Sequence, residues 1–453
     1  MPLSIVILAA GQGTRMKSSR PKVLHTLAGK PMLQHVVDSS RALDPEQIIV
    51  VVGHGADQVR AQMSSQNLDF VEQTEQLGTG HAVAQCFTTL NDGNDVLVLY
   101  GDVPLISMST LETLLTNSAG DSVNILSFLA ENPFGYGRIV RHSNNSVTAI
   151  VEEKDANEAQ RKITESNSGI MFLSGDHIKT LVEKLDNDNS QAEYYLTDVV
   201  KHAVALDLKV NATICGDASE VLGVNNQVQL AEIEGLYRTK QARQLMDAGV
   251  KLYDPNRIDI RGSLQTGADV EIDINCIFIG DVVLGDNVYI AANCIIENST
   301  IGNNSRILPM TSIDNAVIAE GVSIGPFARI RPGTECADGV RIGNFVETKK
   351  ARIGLGSKIS HLSYIGDTDM GASVNIGAGT ITCNYDGVNK FKTIIEDDVF
   401  VGSDTQLVAP VKVRRGSTIG AGSTITRDTP EDQLTLSRSK QISMPGWSRP
   451  EKK

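Results

Sequence analysis

Aromatic side chains are scarce in this sequence of 453 residues: they make up 4% of it, and tryptophan occurs once. Large aromatic residues therefore cannot dominate its cores, whereas its 40 glycines suit many tight turns between short strands. Long apolar runs are also missing. The run that ends before Gly11 is too short to span a membrane and lacks the charged flank of a signal peptide. We therefore expect a buried strand there and no membrane partner.

Cysteine and positive charge are also limited. The six cysteines contain no C-x-x-C motif, which disfavours a zinc site, and we expect free thiols in a reducing, cytoplasmic compartment. The formal net charge of −13 disfavours a nucleic-acid partner. One basic cluster stands out against this acidic background. Within eight positions it contains Arg15, Lys17, Arg20 and Lys22.

The length of the chain exceeds one ordinary core, so at least two domains are expected. Residues 1–226 alternate apolar runs with helical stretches and predict an α/β domain. The predicted strands are residues 4–10, 47–52, 96–100 and 123–130, and the predicted helices are 32–43, 80–90 and 111–117. Strands separated by helices indicate a Rossmann-like, mostly parallel sheet, which binds ligands at the carboxyl ends of its strands.

The pattern changes after this domain. Residues 227–249 have apolar residues at helical spacing and predict a connecting helix. In residues 250–453, Ile-Gly, Leu-Gly and Val-Gly pairs recur, and a basic tail follows Arg438. A second domain of a different class is therefore expected.

Apolar residues in the second domain step by six, as in Leu284, Ile290 and Ile296. A six-residue period fits neither a helix nor a hairpin. Each unit supplies one face of a prism and one inward side chain, and three units close a coil. We expect a left-handed parallel β-helix, in which Cys276 and Cys294, three units apart, stack in adjacent coils.

A glycine loop, residues 8–16 (LAAGQGTRM), follows the first predicted strand directly. Glycines let backbone N–H groups approach an anionic ligand. A dinucleotide fingerprint needs a third glycine where Met16 stands, and no Gly-Lys-Ser/Thr of a Walker motif follows. The glycines alone are a weak signal. With Arg15 and the pair Pro21-Lys22, however, the loop resembles the signature of sugar-nucleotide pyrophosphorylases.

That family joins a sugar 1-phosphate to a nucleoside triphosphate and releases pyrophosphate. Negative charge builds on the transferred and leaving phosphates, so Lys22 and Arg15 would stabilise the transition state. Asp102 follows the predicted strand 96–100 and is a candidate ligand for Mg²⁺, which prefers few carboxylates plus substrate phosphates. The resemblance adds Asn225 as the second metal ligand.

Polar residues interrupt the second domain where its repeat should be aliphatic. They are Arg331, Lys349, His361, Tyr364, Asn375, Asn384, Tyr385, Ser403 and Arg438. His361 lies between Ile359 and Ile365 at an outward-facing position. Because an imidazole can act as a base near pH 7, we consider it a candidate general base. The insertion 384–390 is expected to form a polar loop on the binding face.

Further motifs occur in the order expected of one family. They are Gln73, residues 77–81 (LGTGH), 135–138 (GYGR), 152–154 (EEK) and 167–169 (NSG). With the β-helix behind them, the chain resembles, over nearly its whole length, the family of bifunctional N-acetylglucosamine-1-phosphate uridylyltransferases/glucosamine-1-phosphate N-acetyltransferases.

The resemblance implies a residue set for each substrate. The UTP and UDP-N-acetylglucosamine set is Leu8, Ala9, Ala10, Gly11, Lys22, Gln73, Gly78, Thr79, Tyr100, Gly101, Asp102, Gly137, Glu152, Asn167 and Asn225. Within it, the residues that contact uracil are Gln73, Gly78 and Thr79, and those that hold the acetylated sugar are Gly137, Glu152 and Asn167. The glucosamine 1-phosphate set is Arg331, Lys349, Tyr364 and Asn375. The acetyl-CoA set is Ala378, Asn384, Tyr385, Ser403, Ala421 and Arg438. The family also places Glu347 near the base His361.

By the same resemblance, glucosamine 1-phosphate and the co-substrate acetyl-CoA give N-acetylglucosamine 1-phosphate. UTP with Mg²⁺ then gives UDP-N-acetylglucosamine for cell-wall and lipopolysaccharide synthesis, and a homotrimer is implied. One alternative is a monofunctional sugar-1-phosphate nucleotidyltransferase with a structural β-helix, against which the polar residues around His361 argue. A scaffold is disfavoured by the intact Lys22, Asp102 and Asn225, and a dinucleotide-binding dehydrogenase by Met16.

Overall fold

A computed structural model of the protein describes residues 2–118 and 120–452. The chain divides after Tyr237 into two compact units. The division falls within one long helix, Gln227–Asp247.

The first unit contains a nine-stranded sheet and a separate two-stranded ribbon. Its strands are β1 (Leu3–Leu8), β2 (Thr26–Leu27), β3 (Lys30–Pro31), β4 (Gln47–Val52), β5 (Asp69–Glu72), β6 (Asp95–Tyr100), β7 (Val123–Leu129), β8 (Arg138–Arg141), β9 (Val147–Val151), β10 (Glu165–Leu173) and β11 (Val210–Ile214). The α-helices are α1 (Met32–Arg41), α2 (Ala56–Gln62), α3 (Thr79–Ala84), α4 (Met108–Asn117), α5 (Glu158–Arg161), α6 (Ile178–Val182), α7 (Asp198–Ala205) and α8 (Gln227–Asp247). Short 3₁₀ helices are Thr14–Met16, Lys22–Leu24, Ser64–Gln66, Gln85–Thr88 and Ala218–Val221.

The main path of the large sheet runs in the order β11-β7-β10-β6-β1-β4-β5, with the β8–β9 hairpin attached to β10. Most neighbours on this path are parallel, which confirms the predicted α/β class. Strand β10 runs antiparallel to both β6 and β7 and was not predicted. A strand buried on both faces has the same apolar sequence in either direction, so composition alone does not reveal its orientation.

Strand β1 lies at the centre of this sheet and contributes to two cores. Ile5 and Ile7 pack on one face, and Val6 and Leu8 on the other, all of them buried. The parallel register pairs Leu8 with Tyr100, so β1 and β6 end side by side. The segments that follow these two strands are therefore neighbours, as the sheet topology requires.

The second unit is a stack of short parallel strands. They are β12 (Lys251–Leu252), β13 (Ile258–Thr266), β14 (Glu271–Ile272), β15 (Cys276–Leu284), β16 (Tyr289–Ile290), β17 (Ile295–Glu297), β18 (Thr300–Ile301), β19 (Arg306–Ile307), β20 (Ser312–Asp314), β21 (Val317–Ile318), β22 (Ser323–Ile324), β23 (Arg329–Ile330), β24 (Glu335–Cys336), β25 (Arg341–Asn344), β26 (Glu347–Ile353), β27 (Lys358–His361), β28 (Tyr364–Met370), β29 (Asn375–Ile376), β30 (Ile381–Cys383), β31 (Thr393–Ile395), β32 (Phe400–Val401), β33 (Gln406–Val408), β34 (Val411–Val413), β35 (Thr418–Ile419), β36 (Thr424–Ile425) and β37 (Leu434–Thr435).

These strands form coils around an aliphatic core, as the six-residue period predicts. Leu284, Ile290 and Ile296 are at most 1% exposed. The backbone N–H of Ile277 donates to the carbonyl of Cys294 at 2.9 Å, which confirms that the Cys276 and Cys294 positions stack in adjacent coils. The insertion is also confirmed, because residues 384–392 leave the repeat between β30 and β31.

One corner of the β-helix carries bulky apolar residues on the outside. Met310, Phe327, Phe345 and Leu362 follow one another in successive coils, with φ between 47° and 60°. They are 49%, 51%, 55% and 61% exposed, and the Phe327 and Phe345 rings stack 5.4 Å apart. Such residues rarely adopt a left-handed backbone, and here they present an apolar strip rather than filling a core.

Candidate active sites

A cavity of about 290 Å³ opens at the carboxyl ends of β1, β5 and β6. Of the predicted nucleotide residues, those that line it are Leu8, Ala9, Ala10, Gly11, Lys22, Gln73, Gly78, Thr79, Tyr100 and Asp102. Four lining residues were not predicted, namely Val23, Gln76, Ala82 and Glu193. Sequence motifs drew attention to the glycine loops, whereas Glu193 belongs to no motif and reaches the cavity only through the fold.

Two glycines shape this cavity. Gly78 precedes α3 with φ of 111°, and a side chain there would collide with the Tyr194 carbonyl oxygen at 2.6 Å. At Gly13, φ is 61° and an added Cβ would lie 2.8 Å from the Cβ of Lys22. Glycine is therefore required both at the turn before α3 and beside the lysine.

Lys22 links the predicted cationic and metal-binding residues. Its ammonium donates to the carboxylate of Asp102 and lies 3.4 Å from Oδ1 of Asn225. Arg15 donates to the same Asn225 oxygen at 2.9 Å. Residues from three distant segments of the chain thus form one cluster of two cations and two oxygen ligands.

A carboxylate and an amide oxygen that face one cation suit Mg²⁺, which completes its coordination with water and phosphate oxygens. Asp102 and Asn225 fit this description because both bond to the Lys22 ammonium. In the described residues no group of three or more His, Cys, Asp or Glu side chains could hold a metal ion by itself. Water and substrate oxygens would complete the coordination of a metal held by Asp102 and Asn225.

Of the predicted sugar residues, Gly137 directly precedes β8, Glu152 directly follows β9, and Asn167 lies on β10. The Asn167 N–H donates to the Gly137 carbonyl at 2.8 Å, which joins two of them directly. Glu152 accepts a hydrogen bond from the Thr197 hydroxyl at 3.0 Å. Burial raises the pKa of Glu152, and the Thr197 bond partly opposes this effect.

Tyr100 lines the cavity and lies close to Glu152, one of the predicted sugar residues. Burial raises its pKa, with the nearby charges of Glu152 and Asp102 adding to the effect, so the phenol stays protonated. Gly169, with φ of 88°, lies against its ring, and a Cβ there would be 2.6 Å from Cε2. Gly101 does not line the cavity; its N–H donates to the Leu8 carbonyl at 3.0 Å and ties β1 to β6.

The second site lies on the outer surface of the β-helix. By register, Lys349 stands one coil above Arg331. The neighbouring ammonium of Lys390 lowers the pKa of Lys349, and Arg331 contributes in the same direction. Arg331 also pairs with Glu347 at 2.7 Å. This cluster of cations suits a phosphate group, and Lys390 joins it from the inserted loop without having been predicted.

The predicted acetyl-CoA residues form a column in successive coils. Asn375, Phe400 and Thr418 are register partners on β29, β32 and β35. Three residues after each of them come Ala378, Ser403 and Ala421, which therefore occupy equivalent positions in successive coils. Arg438 donates to the Ala421 carbonyl at 2.9 Å. His361 of β27 lies one coil below Ala378 in the same column.

The remaining predicted residues flank this column. Asn375 begins β29, and Tyr364 begins β28 as the register partner of Glu347. The Asn384 amide donates to Asp367, and the Tyr385 hydroxyl donates to the Gly387 carbonyl, both within or beside the inserted loop. The partner of His361 is Asn344, which the sequence did not indicate.

Within residues 2–118 and 120–452, no helix combines the length and the apolar character needed to cross a membrane. All six cysteines are free, as predicted. Burial raises the pKa of the Cys276 thiol to about 12, so this residue serves packing rather than nucleophilic chemistry.

Comparison with protein families matches both halves of the chain. Residues 5–169 match the MobA-like NTP transferase domain. Residues 260–359 match the GMPPB C-terminal domain, and residues 392–427 match the bacterial transferase hexapeptide (six repeats). The hexapeptide match together with the parallel coils identifies the second unit as the predicted left-handed β-helix.

Curated relatives match along the whole length. Over 451 residues the chain is 52% identical to the bifunctional protein GlmU of Cupriavidus pinatubonensis and 54% identical to that of Marinobacter nauticus, covering 100% of this chain and 99% of each relative. Identity to the bifunctional protein GlmU of Azoarcus sp. is 53%, covering 99% of this chain and 100% of the relative.

Proposed function

The chain belongs to the family of bifunctional GlmU proteins, and we propose an assignment of its two activities to the residues described above. It is a bifunctional enzyme of UDP-N-acetylglucosamine synthesis. It acetylates glucosamine 1-phosphate with acetyl-CoA, and it transfers UMP from UTP to N-acetylglucosamine 1-phosphate with release of pyrophosphate. In this assignment residues 1–226 carry uridylyl transfer, 227–249 connect the domains, and 250–453 carry acetyl transfer.

Uridylyl transfer takes place in the cavity beside β1 and β6. An oxygen of the sugar phosphate attacks the α-phosphorus of UTP, and the bond from that phosphorus to the leaving pyrophosphate breaks. Lys22 and Arg15 supply the positive charge that the transition state requires, which is the main protein contribution to this class of reaction. Their common contact with Asn225 Oδ1 holds the two cations close to each other.

Asp102 and Asn225 are the residues that would hold Mg²⁺. Bound there, the ion would neutralise phosphate charge. The oxygens of both side chains are held close together, because each bonds to the Lys22 ammonium.

Uracil and the acetylated sugar are the two ends of UDP-N-acetylglucosamine, and different residues would bind them. Gln73, Gly78 and Thr79 would contact uracil. Glu152 would accept hydrogen bonds from the acetylated sugar, and Asn167 would donate to it. Gly137 lies beside them, and an added Cβ there would be 3.3 Å from a Glu152 carboxylate oxygen. The absence of a side chain at Gly137 leaves room for a sugar ring against that carboxylate.

Acetyl transfer takes place beside His361. Its imidazole takes a proton from the amine of glucosamine 1-phosphate as the nitrogen bonds to the acetyl carbonyl carbon. The carbon–sulfur bond then breaks, and the proton passes from the imidazolium to the departing CoA thiolate. Arg331 and Lys349 would bind the sugar phosphate.

The other acetyl-transfer residues have binding roles in this assignment. Tyr364 and Asn375 would contact the glucosamine. Acetyl-CoA would lie along the column of successive coils and the inserted loop. Its residues are Ala378, Asn384, Tyr385, Ser403, Ala421 and Arg438.

We also infer a homotrimer located in the cytoplasm. The apolar corner strip of Met310, Phe327, Phe345 and Leu362 supports association, because four bulky exposed side chains in a left-handed backbone conformation have no role in the core. A β-helix that associates along its length would cover this strip with further copies of the same chain.

The gathering of ten predicted nucleotide residues around one cavity carries the uridylyl-transfer assignment. A test mixes the protein with glucosamine 1-phosphate, acetyl-CoA, UTP and Mg²⁺ and follows products by mass spectrometry. Wild type should form UDP-N-acetylglucosamine, Asp102→Ala should accumulate N-acetylglucosamine 1-phosphate, and His361→Ala should form neither. Wild type that works only from supplied N-acetylglucosamine 1-phosphate would favour the monofunctional alternative.

A further inference from the structure

The imidazole of His361 is held through one ring nitrogen. Its Nδ1 lies 2.6 Å from Oδ1 of Asn344. The two residues are register partners on β25 and β27, one coil apart. The Leu362 N–H also donates to the Asn344 carbonyl at 3.1 Å. Two hydrogen-bonded backbone segments therefore set the position of the amide relative to the ring.

This contact selects one form of the neutral imidazole. An amide oxygen can only accept a hydrogen bond, so Nδ1 carries the hydrogen. A neutral imidazole has one ring hydrogen, and the lone pair then lies on Nε2. Nε2 becomes the basic nitrogen, on the side of the ring away from Asn344.

We propose that Asn344 is a positioning residue that holds His361 in the Nδ1–H tautomer and so makes Nε2 the base of acetyl transfer. The inference rests on the proposed role of His361. When Nε2 takes the amine proton, the imidazolium keeps its hydrogen bond to the Asn344 oxygen, which stabilises the positive charge. The amide itself stays neutral, and the proton leaves from Nε2 to the CoA sulfur.

Glu347 is the other acceptor to consider, since the family resemblance places it near the base. Its carboxylate is engaged by Arg331 at 2.7 Å and by Arg329 at 3.9 Å. Glu347 therefore organises the cations of the phosphate site, whereas Asn344 bonds to the ring. The two residues should fail in different ways when substituted.

Steady-state kinetics of the full chain separate these roles. Asn344→Leu keeps the number and branching of the heavy atoms but removes the acceptor. It should lower the kcat of acetylation about ten- to a hundredfold, with KM for both substrates within about twofold. Asn344→Asp restores an acceptor and should recover most of the lost kcat. Glu347→Gln should instead raise KM for glucosamine 1-phosphate. Uridylylation by each preparation and calorimetric binding of CoA control for folding of the two domains.

Nitrogen NMR of ¹⁵N-histidine-labelled protein reports the tautomer of His361 directly. If Asn344 only stabilised the fold, its substitution would leave this tautomer unchanged. The His361 signals, identified by comparison with His361→Ala, should show a protonated Nδ1 in wild type and a shift towards protonated Nε2 in Asn344→Leu.

Unchanged kcat in Asn344→Leu, an unchanged tautomer, or an Asn344→Asp variant as impaired as Asn344→Leu would overturn the inference. Full acetylation by His361→Ala would instead overturn the proposed base, so the two failures can be told apart.

Discussion

The side-chain amide nitrogen of Gln73 lies 3.1 Å from Nδ1 of His81 and 3.0 Å from the Gly78 carbonyl oxygen. Because the carbonyl can only accept, the amide nitrogen donates to it, and Nδ1 of His81 accepts the second hydrogen. In the proposed assignment, the amide oxygen of Gln73 is then the atom available to the nucleotide. An acceptor suits the N3–H of uracil and opposes the unprotonated N3 of cytosine.

We therefore predict that His81→Leu weakens base discrimination. Loss of one orienting hydrogen bond, worth about 1 kcal/mol, should lower the ratio of kcat/KM for UTP over CTP by roughly five- to tenfold. Competition between the two nucleotides with N-acetylglucosamine 1-phosphate measures this ratio. The exposed His54→Leu serves as control, and a ratio equal to that of wild type in His81→Leu would refute the orienting role.

Lys22→Met should abolish most uridylyl transfer and spare acetyl transfer. The substitution removes the ammonium that bonds to Asp102 and Asn225, and a fixed charge at a phosphoryl-transfer centre contributes about 10²- to 10³-fold. Both activities are measured on one preparation. Lys30→Met is the matched control, because Lys30 is half exposed and only approaches Asp38 at 3.5 Å. A Lys22→Met enzyme as active as the Lys30→Met enzyme would contradict this role.

Glu152→Gln should stabilise the unliganded protein at neutral pH while weakening turnover of N-acetylglucosamine 1-phosphate. Burial raises the pKa of Glu152 from its usual 4.5, so the folded state binds this proton more tightly than the unfolded chain. Wild type then loses stability as pH rises from about 4.5 through the raised pKa, whereas the glutamine variant does not. The thermal midpoint of the variant should exceed that of wild type at pH 7.5, and the gap should close towards pH 4.5. A wild-type thermal midpoint above that of the variant at pH 7.5 would show that the buried Glu152 carboxylate does not destabilise the folded protein.

Phe327→Glu combined with Phe345→Glu should dissociate the proposed trimer. Like charges in adjacent coils would repel across an interface formed by the apolar strip, while each monomer keeps its internal core. Light scattering after size exclusion measures the mass. Val388→Glu, at an 84% exposed loop position, controls for added charge. Persistence of the wild-type mass in the double variant would exclude this strip as the interface.

Much of the second unit could be read from the sequence because its contacts are local. A coil contacts the next coil 17 or 18 residues away, as in the pairing of Ile290 with Ile307 and of Ile324 with Ile342. The six-residue period therefore states directly which side chains point inward. The bulky corner residues do not interrupt the six-residue period, and only the three-dimensional structure reveals that Phe327 and Phe345 stack outside the core.

The first unit was less accessible to such reasoning. Glycine loops and strand ends could be located because turn chemistry is local. The helix predicted over residues 80–90 differs from the structure, since α3 ends at Ala84 and the 3₁₀ helix Gln85–Thr88 follows it. The antiparallel β10 and the approach of Glu193 to the cavity depend on packing between distant segments.

By itself, the sequence determined the α/β class, the hexapeptide core and the position of Lys22 and Asp102 beside glycine turns, because each follows from spacing along the chain. Only the tertiary structure decided that Lys22 meets Asn225, that Thr197 bonds to Glu152 and that Asn344 holds His361. Those contacts join residues 17 to 203 positions apart. Sequence spacing does not encode the packing that brings Lys22 to Asn225 and Thr197 to Glu152. The coil period places Asn344 beside His361, but only the structure shows that their side chains bond.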